Sequence, residues 1–247
     1  MNKSILGIFL AISIAGCGTS TLKREQANLH LEIGTGHLIK GHFPQALHEL
    51  QLAEELDPNN AMIQNNLGLA YFVRKNYDLA QKHISRALVL EPKYSDARNN
   101  YGRLFIELAR YDDAIAELKI VTKDLTYNNP EKALVNLGLA YLKKGDFNTA
   151  LDNFKRSLET NNKFCPSHNY LGQVLFQTQK YQSALEAFDT ALKLCNNRYD
   201  EPHYYGALSL FKLGYRDRGI ARLEEVIKFY PESDYSIQAQ SMLKIMR

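Results

Sequence analysis

A small residue returns along this chain of 247 residues at a nearly constant interval. In order, this position holds Gly34, Gly68, Gly102, Gly138, Gly172 and Ala207, at separations of 34, 34, 36, 34 and 35 residues. A second small residue follows each of them twelve positions later: Ala46, Ala80, Ala114, Ala150, Ala184 and Gly219. Pro58, Pro92 and Pro231 follow the first, second and last copies by 24 residues. A period of this length predicts one short structural unit, stacked so that each copy buries its apolar face against its neighbours.

The period and the order of these positions resemble the tetratricopeptide repeat (TPR), a hairpin of two α-helices. Small residues allow the two helices to approach closely, and the proline ends the second helix because it cannot continue one. The chain is therefore predicted to be all-α, a right-handed TPR superhelix of six helix-turn-helix repeats with a C-terminal capping helix. The repeats are predicted within 27–233, at about 27–58, 61–92, 95–128, 131–162, 165–197 and 200–231, and the capping helix at 234–247. The 36-residue step predicts a longer loop at 126–129, between the third and fourth repeats.

The first 17 residues resemble the signal sequence of a bacterial lipoprotein. Lys3 gives a positive start, and residues 5–14 form a mostly apolar run of ten. A run of that length is too short for a membrane-spanning helix, which needs about 20 residues. Ile14-Ala15-Gly16-Cys17 then supplies an aliphatic residue and two small ones before a cysteine, as in a lipobox.

In lipoproteins the lipobox cysteine is acylated and becomes the mature N-terminus. The resemblance therefore implies a signal peptide at 1–16, a lipid on Cys17 and a lipid-anchored tether at 17–26. Gly18 follows the cysteine where an Asp would imply inner-membrane retention, so the prediction is the outer membrane, facing the periplasm. An ordinary signal peptide with an incidental cysteine is the alternative.

The charge balance argues against nucleic acid as a partner. The chain carries 30 Lys and Arg against 27 Asp and Glu, a net charge of +3, and loss of Lys3 with a signal peptide leaves +2. Neither value supplies the basic surface that nucleic acid requires. No segment after the signal is apolar for 18 residues, so the only membrane attachment predicted is the N-terminal lipid.

Two further cysteines, Cys165 and Cys195, are predicted to lie at the start and the end of the fifth hairpin. In an antiparallel pair of helices these two ends are neighbours. The periplasm permits disulfides, so a Cys165–Cys195 bond is predicted, with two unpaired thiols as the alternative.

The sequence contains no pattern that predicts catalysis. It has no nucleophile motif, no glycine-rich phosphate loop and no His-Glu metal motif, so neither catalytic residues nor a cofactor is predicted, and no small-molecule substrate. His37, His42 and His48 fall close together in the first repeat, but packed or solvated histidines explain them better than a metal site does. The chain is predicted not to be an enzyme.

A TPR array offers a concave face made by the first helix of each hairpin. Helical spacing predicts a partner-binding groove on this face, made of Asn65, Asn66, Leu69, Phe72, Asn99, Asn100, Arg103, Asn136 and Leu139. An Asn side chain carries both a donor and an acceptor, so a row of them can pair with the backbone of an extended peptide. Solubility and local capping are the alternative explanation for the Asn row. The same face continues with Asn169, Tyr170, Gln173, Phe176, Tyr204, Tyr205 and Leu208.

A lipobox, a short tether, six TPRs and a cysteine pair in the fifth hairpin together resemble the pilotin-like TPR lipoproteins of type IV pilus biogenesis, the PilF/PilW group. Membership of that group implies a lipoprotein on the inner leaflet of the outer membrane that promotes assembly and outer-membrane localisation of a secretin. The implied partner is therefore the secretin, held near the membrane while its ring forms.

Two other functions remain open from the sequence. Tyr230-Pro231-Glu232-Ser233, followed by Tyr235 and Ala239, resembles a pattern in TPR lipoproteins of the outer-membrane barrel-assembly machinery. That family usually has five less regular repeats. An adaptor for a cell-wall hydrolase would also use a TPR surface.

Overall fold

The computed structural model describes the backbone of residues 15–246 and the side chains of residues 21–245. Within this range the regular secondary structure is entirely helical. The helices are α1 (Ala15–Ile39), α2 (Phe43–Leu56), α3 (Ala61–Val73), α4 (Tyr77–Leu90), α5 (Ser95–Glu107), α6 (Tyr111–Val121), α7 (Pro130–Lys144), α8 (Phe147–Thr160), α9 (Cys165–Gln177), α10 (Tyr181–Cys195), α11 (Glu201–Lys212), α12 (Arg216–Phe229) and α13 (Asp234–Met246). The chain divides into two compact units, and the boundary falls within α5: the first unit ends at Leu104 and the second begins at Phe105.

One difference from the sequence-based expectation concerns the start of the first helix. Helix α1 begins at Ala15, so the segment 17–26 predicted as a tether is helical and continuous with the first repeat. Residues 1–14 of the predicted signal peptide and the side chain of Cys17 lie outside the part of the chain that the structure describes. The predicted longer loop is present: α6 ends at Val121, and eight residues precede α7. Tyr127 is buried in this loop against Val121 and Ala133.

The hairpins close because small residues face large ones across each helix pair. In the first unit, a Cβ on Gly68 would lie 2.4 Å from Cγ1 of Ile84, so nothing larger than glycine fits there. In the second unit, a Cβ on Gly138 would lie 2.6 Å from the ring of Phe154. Phe154 is fully buried, and burying a residue of this size contributes about 1.5–3 kcal/mol. The periodic small residues therefore set how closely the paired helices pack.

Each first helix ends in the same left-handed turn. The residue with positive φ is Gly41, Lys75, Ala109, Gly145, Gln179 or Gly214, in chain order. The next residue donates its N–H to the carbonyl five positions back; for example, Asn76 donates to Tyr71 (3.0 Å) and Asp146 donates to Tyr141 (2.9 Å). This bonding satisfies carbonyls that a helix end leaves unpaired. The turn reverses the chain and starts the second helix.

The last helix covers the final hairpin of the second unit. Ala239 and Leu243 on α13 pack with Ala207, Leu223 and Val226 in one apolar cluster. All five residues are buried, Leu243 being the most exposed at 6%. The faces that α11 and α12 would otherwise leave to solvent are therefore covered by α13.

Candidate protein-interaction surfaces

A chain of hydrogen bonds joins the Asn side chains of the first unit. Asn66 Nδ2 donates to Thr35 Oγ1 (2.7 Å), and Thr35 Oγ1 donates to the carbonyl of Leu31 (2.7 Å). Asn65 Nδ2 donates to Asn66 Oδ1 (3.2 Å), and Asn100 Nδ2 donates to Asn65 Oδ1 (2.9 Å). Three of the predicted groove residues are thus bonded to one another and to α1. We call this set the Asn chain; it ties α1, α3 and α5 together.

The accessible part of the same face is apolar and cationic. Leu69 and Phe72 are half-buried on α3, and Arg103 on α5 is exposed. The guanidinium carbon of Arg103 lies 5.0 Å from the centre of the Phe72 ring, a cation–π contact. Aromatic residues and arginine are the side chains most often found at energetically dominant positions of protein interfaces. We call Leu69, Phe72 and Arg103 the α3 patch.

The remaining predicted groove residues differ in their accessibility. Asn99, on α5, is buried, with only 6% of its surface exposed. Asn136 and Leu139 lie half-buried on α7 of the second unit. The predicted set thus includes both structural amides and accessible side chains.

The second unit carries a network of tyrosines around one carboxylate. Glu201 accepts hydrogen bonds from Asn169 Nδ2 (2.6 Å to Oε2) and from the hydroxyl of Tyr235 (2.7 Å to Oε1). Burial, with the nearby Glu201 carboxylate, raises the pKa of Tyr235 and keeps its hydroxyl protonated. Tyr205 and Tyr204 contact the Tyr235 ring, with ring centres 6.0 and 5.1 Å away. The network fixes α9, α11 and α13 to one another.

Two amide atoms beside this network have no hydrogen-bond partner among the described residues. They are Asn169 Oδ1 and Gln173 Nε2, one turn apart on α9. The two residues are 8% and 9% exposed, respectively. Buried polar atoms nearly always have a hydrogen-bond partner, so these two atoms are candidates for contact with a ligand. The repeat pattern placed both residues on the first-helix face but gave no signal that their amides lack partners.

Cys165 is the first residue of α9, and Cys195 is the last residue of α10. In the structure a disulfide joins them, with Cα atoms 5.6 Å apart. That separation falls within the usual range for disulfides. The bond closes the open end of the fifth hairpin.

Two histidines form polar pairs between the helices of a hairpin. His30 Nδ1 donates to Glu49 Oε2 (2.8 Å) across α1 and α2. His83 Nδ1 donates to Gln64 Oε1 (2.8 Å) across α3 and α4, and Gln64 Nε2 donates to Glu54 Oε1 (2.8 Å). Burial lowers the pKa of His83, which favours its neutral form. In the first repeat, the rings of His37 and His42 lie 5.7 Å apart between centres.

His203 occupies the corresponding place in the last hairpin but faces Arg222. Both of its ring nitrogens are buried without a hydrogen-bond partner among the described residues. Burial, followed by the nearby Arg222 guanidinium, lowers the pKa of His203 to about 4. Arg222 itself donates to Asp189 Oδ1 at 2.6 Å.

Among the described residues, no three His, Cys, Asp or Glu side chains come together as a metal ion would require. Between residues 15 and 246, none of the helices has the length and apolar character to cross a bilayer.

Comparison with known families identifies the repeats. Models of the tetratricopeptide repeat match residues 31–80 and 135–198 in one form and residues 74–126 in another. These ranges cover more than half of the 247 residues, so the chain belongs to the tetratricopeptide-repeat family. The predicted fold class, an all-α TPR superhelix, is confirmed by this match and by structural similarity. TPR hairpins are protein-interaction modules, and repeat arrays of this kind present extended binding surfaces.

Among individual proteins, the chain is similar to pilus factors. "Type IV pilus assembly protein PilF" of Pseudomonas aeruginosa is 27% identical over 196 residues, 76% of this chain and 78% of the relative. The crystal structure of PilW, described as a widely conserved type IV pilus biogenesis factor, aligns with a TM-score of 0.77 and 22% identity over 88% of this chain and 98% of its own. The structure of Pseudomonas aeruginosa PilF aligns with a TM-score of 0.71 and 22% identity, over 89% of this chain and 99% of its own.

The fold alone does not specify a function. The Cut9–Hcn1 hetero-tetramer of the APC/C aligns with a TM-score of 0.80 and 21% identity over 89% of this chain and 42% of its own. That complex belongs to a different assembly from the pilus factors. The function of a TPR protein therefore depends on its particular surfaces and not on the fold.

Proposed function

We propose that this protein is a non-enzymatic TPR scaffold of type IV pilus biogenesis that binds a protein partner in the cell envelope. The observation that carries the proposal is the 27% identity to PilF, which extends over about three quarters of both chains. The similarity to PilW, over 98% of that chain, supports it because no large part of the neighbour is left unmatched.

The finer proposal is that the partner is an outer-membrane secretin and that a lipid on Cys17 anchors the protein at the periplasmic face of the outer membrane. Helix α1 begins at Ala15, so a lipid at Cys17 would be attached directly to the first helix of the TPR array. Anchoring would raise the local concentration of the partner site at the membrane where the secretin ring forms.

In the first unit, we assign partner binding to the α3 patch. The amides of Asn65, Asn66 and Asn100 are occupied by the Asn chain, whereas Leu69, Phe72 and Arg103 are accessible. Truncating one of the few residues that dominate an interface weakens binding by about 2 kcal/mol or more, about 30-fold. The half-buried Asn136 and Leu139 would make a separate contact on the second unit.

The proposal is tested by deleting the coding region and running unheated membrane fractions for the detergent-resistant secretin ring, with surface pili counted in parallel. Loss of the ring while secretin monomers persist is the expected result. A normal ring with normal pili would contradict the proposal. Loss of many outer-membrane barrels would favour the barrel-assembly alternative, and altered septation would favour the cell-wall adaptor.

Complementation with variants then tests the assigned surface. Phe72→Asp and Arg103→Glu should fail to restore the ring. The first places a negative charge in the α3 patch, and the second reverses the charge there. Val89→Asp is the matched control, since Val89 is 69% exposed on α4, a second helix of the same unit. Cys17→Ser tests the anchor: the protein should leave the membrane fraction. Normal rings with both Phe72→Asp and Arg103→Glu would exclude the α3 patch, and Cys17→Ser protein that stays in the membrane fraction would exclude the lipid anchor.

A further inference from the structure

A cavity in the second unit is lined by cationic and amide side chains. It has a volume of about 380 Å³ and opens beside the turn between α7 and α8. One water in liquid occupies about 30 Å³, so the space accepts a side chain rather than a single water. Lys143, Lys144, Gln173 and Gln177 supply its polar groups, and Phe147 and Tyr205 supply rings. None of the side chains that line it is a carboxylate.

Gln173 gives this cavity an unused hydrogen-bond donor. The residue is 9% exposed, and its Nε2 has no partner among residues 21–245. A buried N–H group calls for an acceptor, and here the acceptor would enter from the cavity. The donor belongs to α9, which is joined to α10 by the Cys165–Cys195 disulfide and to Glu201 through Asn169. The group is therefore held on a rigid element.

The two lysines at the cavity differ in their ion pairing. Lys144 Nζ lies 2.5 Å from Asp112 Oδ1, so a carboxylate already balances its charge. Lys143 is exposed and makes no ion pair within 4.0 Å among the described residues. An ammonium group and an amide donor on one cavity match an anionic acceptor, since hydrogen bonds to a charged acceptor are stronger than neutral ones.

We propose that this cavity, the Gln173 pocket, binds an Asp or Glu side chain carried by an extended segment of the protein partner. The carboxylate accepts a hydrogen bond from Gln173 Nε2 and pairs with Lys143 Nζ. Leu142, Phe147 and Tyr205 surround the methylene groups of the acidic side chain. This assignment rests on the proposed function only in taking the segment from a protein partner; the chemistry of the pocket is independent of the pilus.

The test uses three capped peptides and the full chain in detergent. The probes are acetyl-Ser-Ala-Glu-Ala-Ser-amide, the same peptide with Gln in place of Glu, and the Gln peptide with a free C-terminal carboxylate. Saturation-transfer NMR on the peptides reports weak binding. We expect saturable binding of the Glu peptide, about tenfold weaker binding of either Gln peptide, and a decline with salt, because the contact is ionic.

Variants connect the binding to the pocket. Gln173→Leu and Lys143→Met should each weaken binding of the Glu peptide by about tenfold, the usual worth of one charge-assisted contact. Lys155→Met is the matched control, since Lys155 is also an exposed lysine but lies on α8, away from the cavity lining. Amide exchange of α9 in each variant verifies that the fold is retained.

Several outcomes would overturn the assignment: equal binding of the Glu and Gln peptides, binding only of the free C-terminus, or binding unaffected by both pocket variants in a folded chain. The test is separable from that of the proposed function. A deletion strain with normal secretin rings, beside selective Glu-peptide binding, would refute the pilus role and leave the Gln173 pocket standing.

Discussion

The first-helix amides of the two units differ in whether they are paired. In the first unit, Asn65, Asn66 and Asn100 bond to one another and reach α1 through Thr35. In the second unit, Asn169 and Gln173 each retain an unpaired atom, although both are more than nine-tenths buried. First-helix amides therefore link helices in both units, but in the second unit Asn169 and Gln173 each also leave one atom available to a ligand group.

The polar pairs across the hairpins show the same difference. His30 and His83 meet an acceptor on the opposite helix, each at a sequence separation of 19 residues. His203 meets Arg222 at the corresponding position, and two potential cations cannot satisfy each other. The second unit thus contains several buried polar atoms without a partner, whereas the described part of the first unit has one, His37 Nδ1. The second unit also has a disulfide that the described part of the first unit does not share.

The largest expected effect comes from removing that disulfide. Cys165→Ser/Cys195→Ser should destabilise the second unit by about 3–4 kcal/mol, because a closed loop of about 30 residues restricts the unfolded chain. Urea unfolding with amide exchange in α3 and α9 measures the two units separately. Reduction of the wild-type protein should reproduce the effect in α9 and leave α3 unchanged. Mass spectrometry showing two free thiols in protein from the periplasm would contradict the bond itself.

The comparison of amides is tested by matched substitutions to leucine. Asn65→Leu should destabilise α3 by about 1–3 kcal/mol, because Asn100 Nδ2 loses its acceptor and Asn66 Oδ1 loses its donor in a buried site. Gln173→Leu should stabilise α9 by about 0–1 kcal/mol, because it removes a buried donor that has no partner. The opening free energy from amide exchange measures both. Equal losses for the two variants would show that Gln173 is paired in solution.

His203 provides a test by pH. Its pKa in the folded protein, about 4, lies below the ordinary value of 6.5, so the unfolded chain binds the proton more readily. The effect of His203 on the free energy of unfolding is therefore absent above pH ~7. The free energy of unfolding falls as the pH drops from the unfolded pKa of 6.5 to the folded pKa of about 4, and the effect is constant at lower pH. Between pH 7 and 5 the loss should be about 1–2 kcal/mol.

His203→Phe removes the titrating ring and should flatten this part of the pH profile in the second unit. His30→Phe is the control, since His30 pairs with a carboxylate and lies in the other unit. Unfolding by urea at a series of pH values compares the three proteins. A profile that keeps its slope in His203→Phe would place the titration elsewhere, with Asp189, Asp200 and Glu225 as the neighbouring groups.

The fold was predictable because it depends on residue size at fixed spacing. Gly68 and Gly138 permit close helix contacts, and the same period located Cys165 and Cys195 at neighbouring helix ends. The state of the amides was not predictable, because it depends on rotamers and on partners one repeat away. Asn65 and Asn100 are 35 residues apart and bonded, whereas Gln173, which the repeat pattern also places on the first-helix face, has an unpaired donor.

The smallest expected effect concerns the turns that every hairpin shares. Lys75 in the first unit has φ of 60°, whereas Gly145 occupies the corresponding turn of the second with φ of 88°. A left-handed conformation costs a residue with a Cβ about 1–2 kcal/mol. Glycine avoids this cost, but its more flexible unfolded state offsets part of the gain in stability. Lys75→Gly should therefore stabilise its hairpin by about 0.5–1 kcal/mol, and Gly145→Ala should destabilise its own by about 1 kcal/mol. Thermal unfolding with amide exchange at α4 and α8 measures the pair. The two changes in stability must have opposite signs, because both residues occupy the same turn geometry. A common sign would mean that contacts of the Lys75 side chain contribute more than the backbone conformation does.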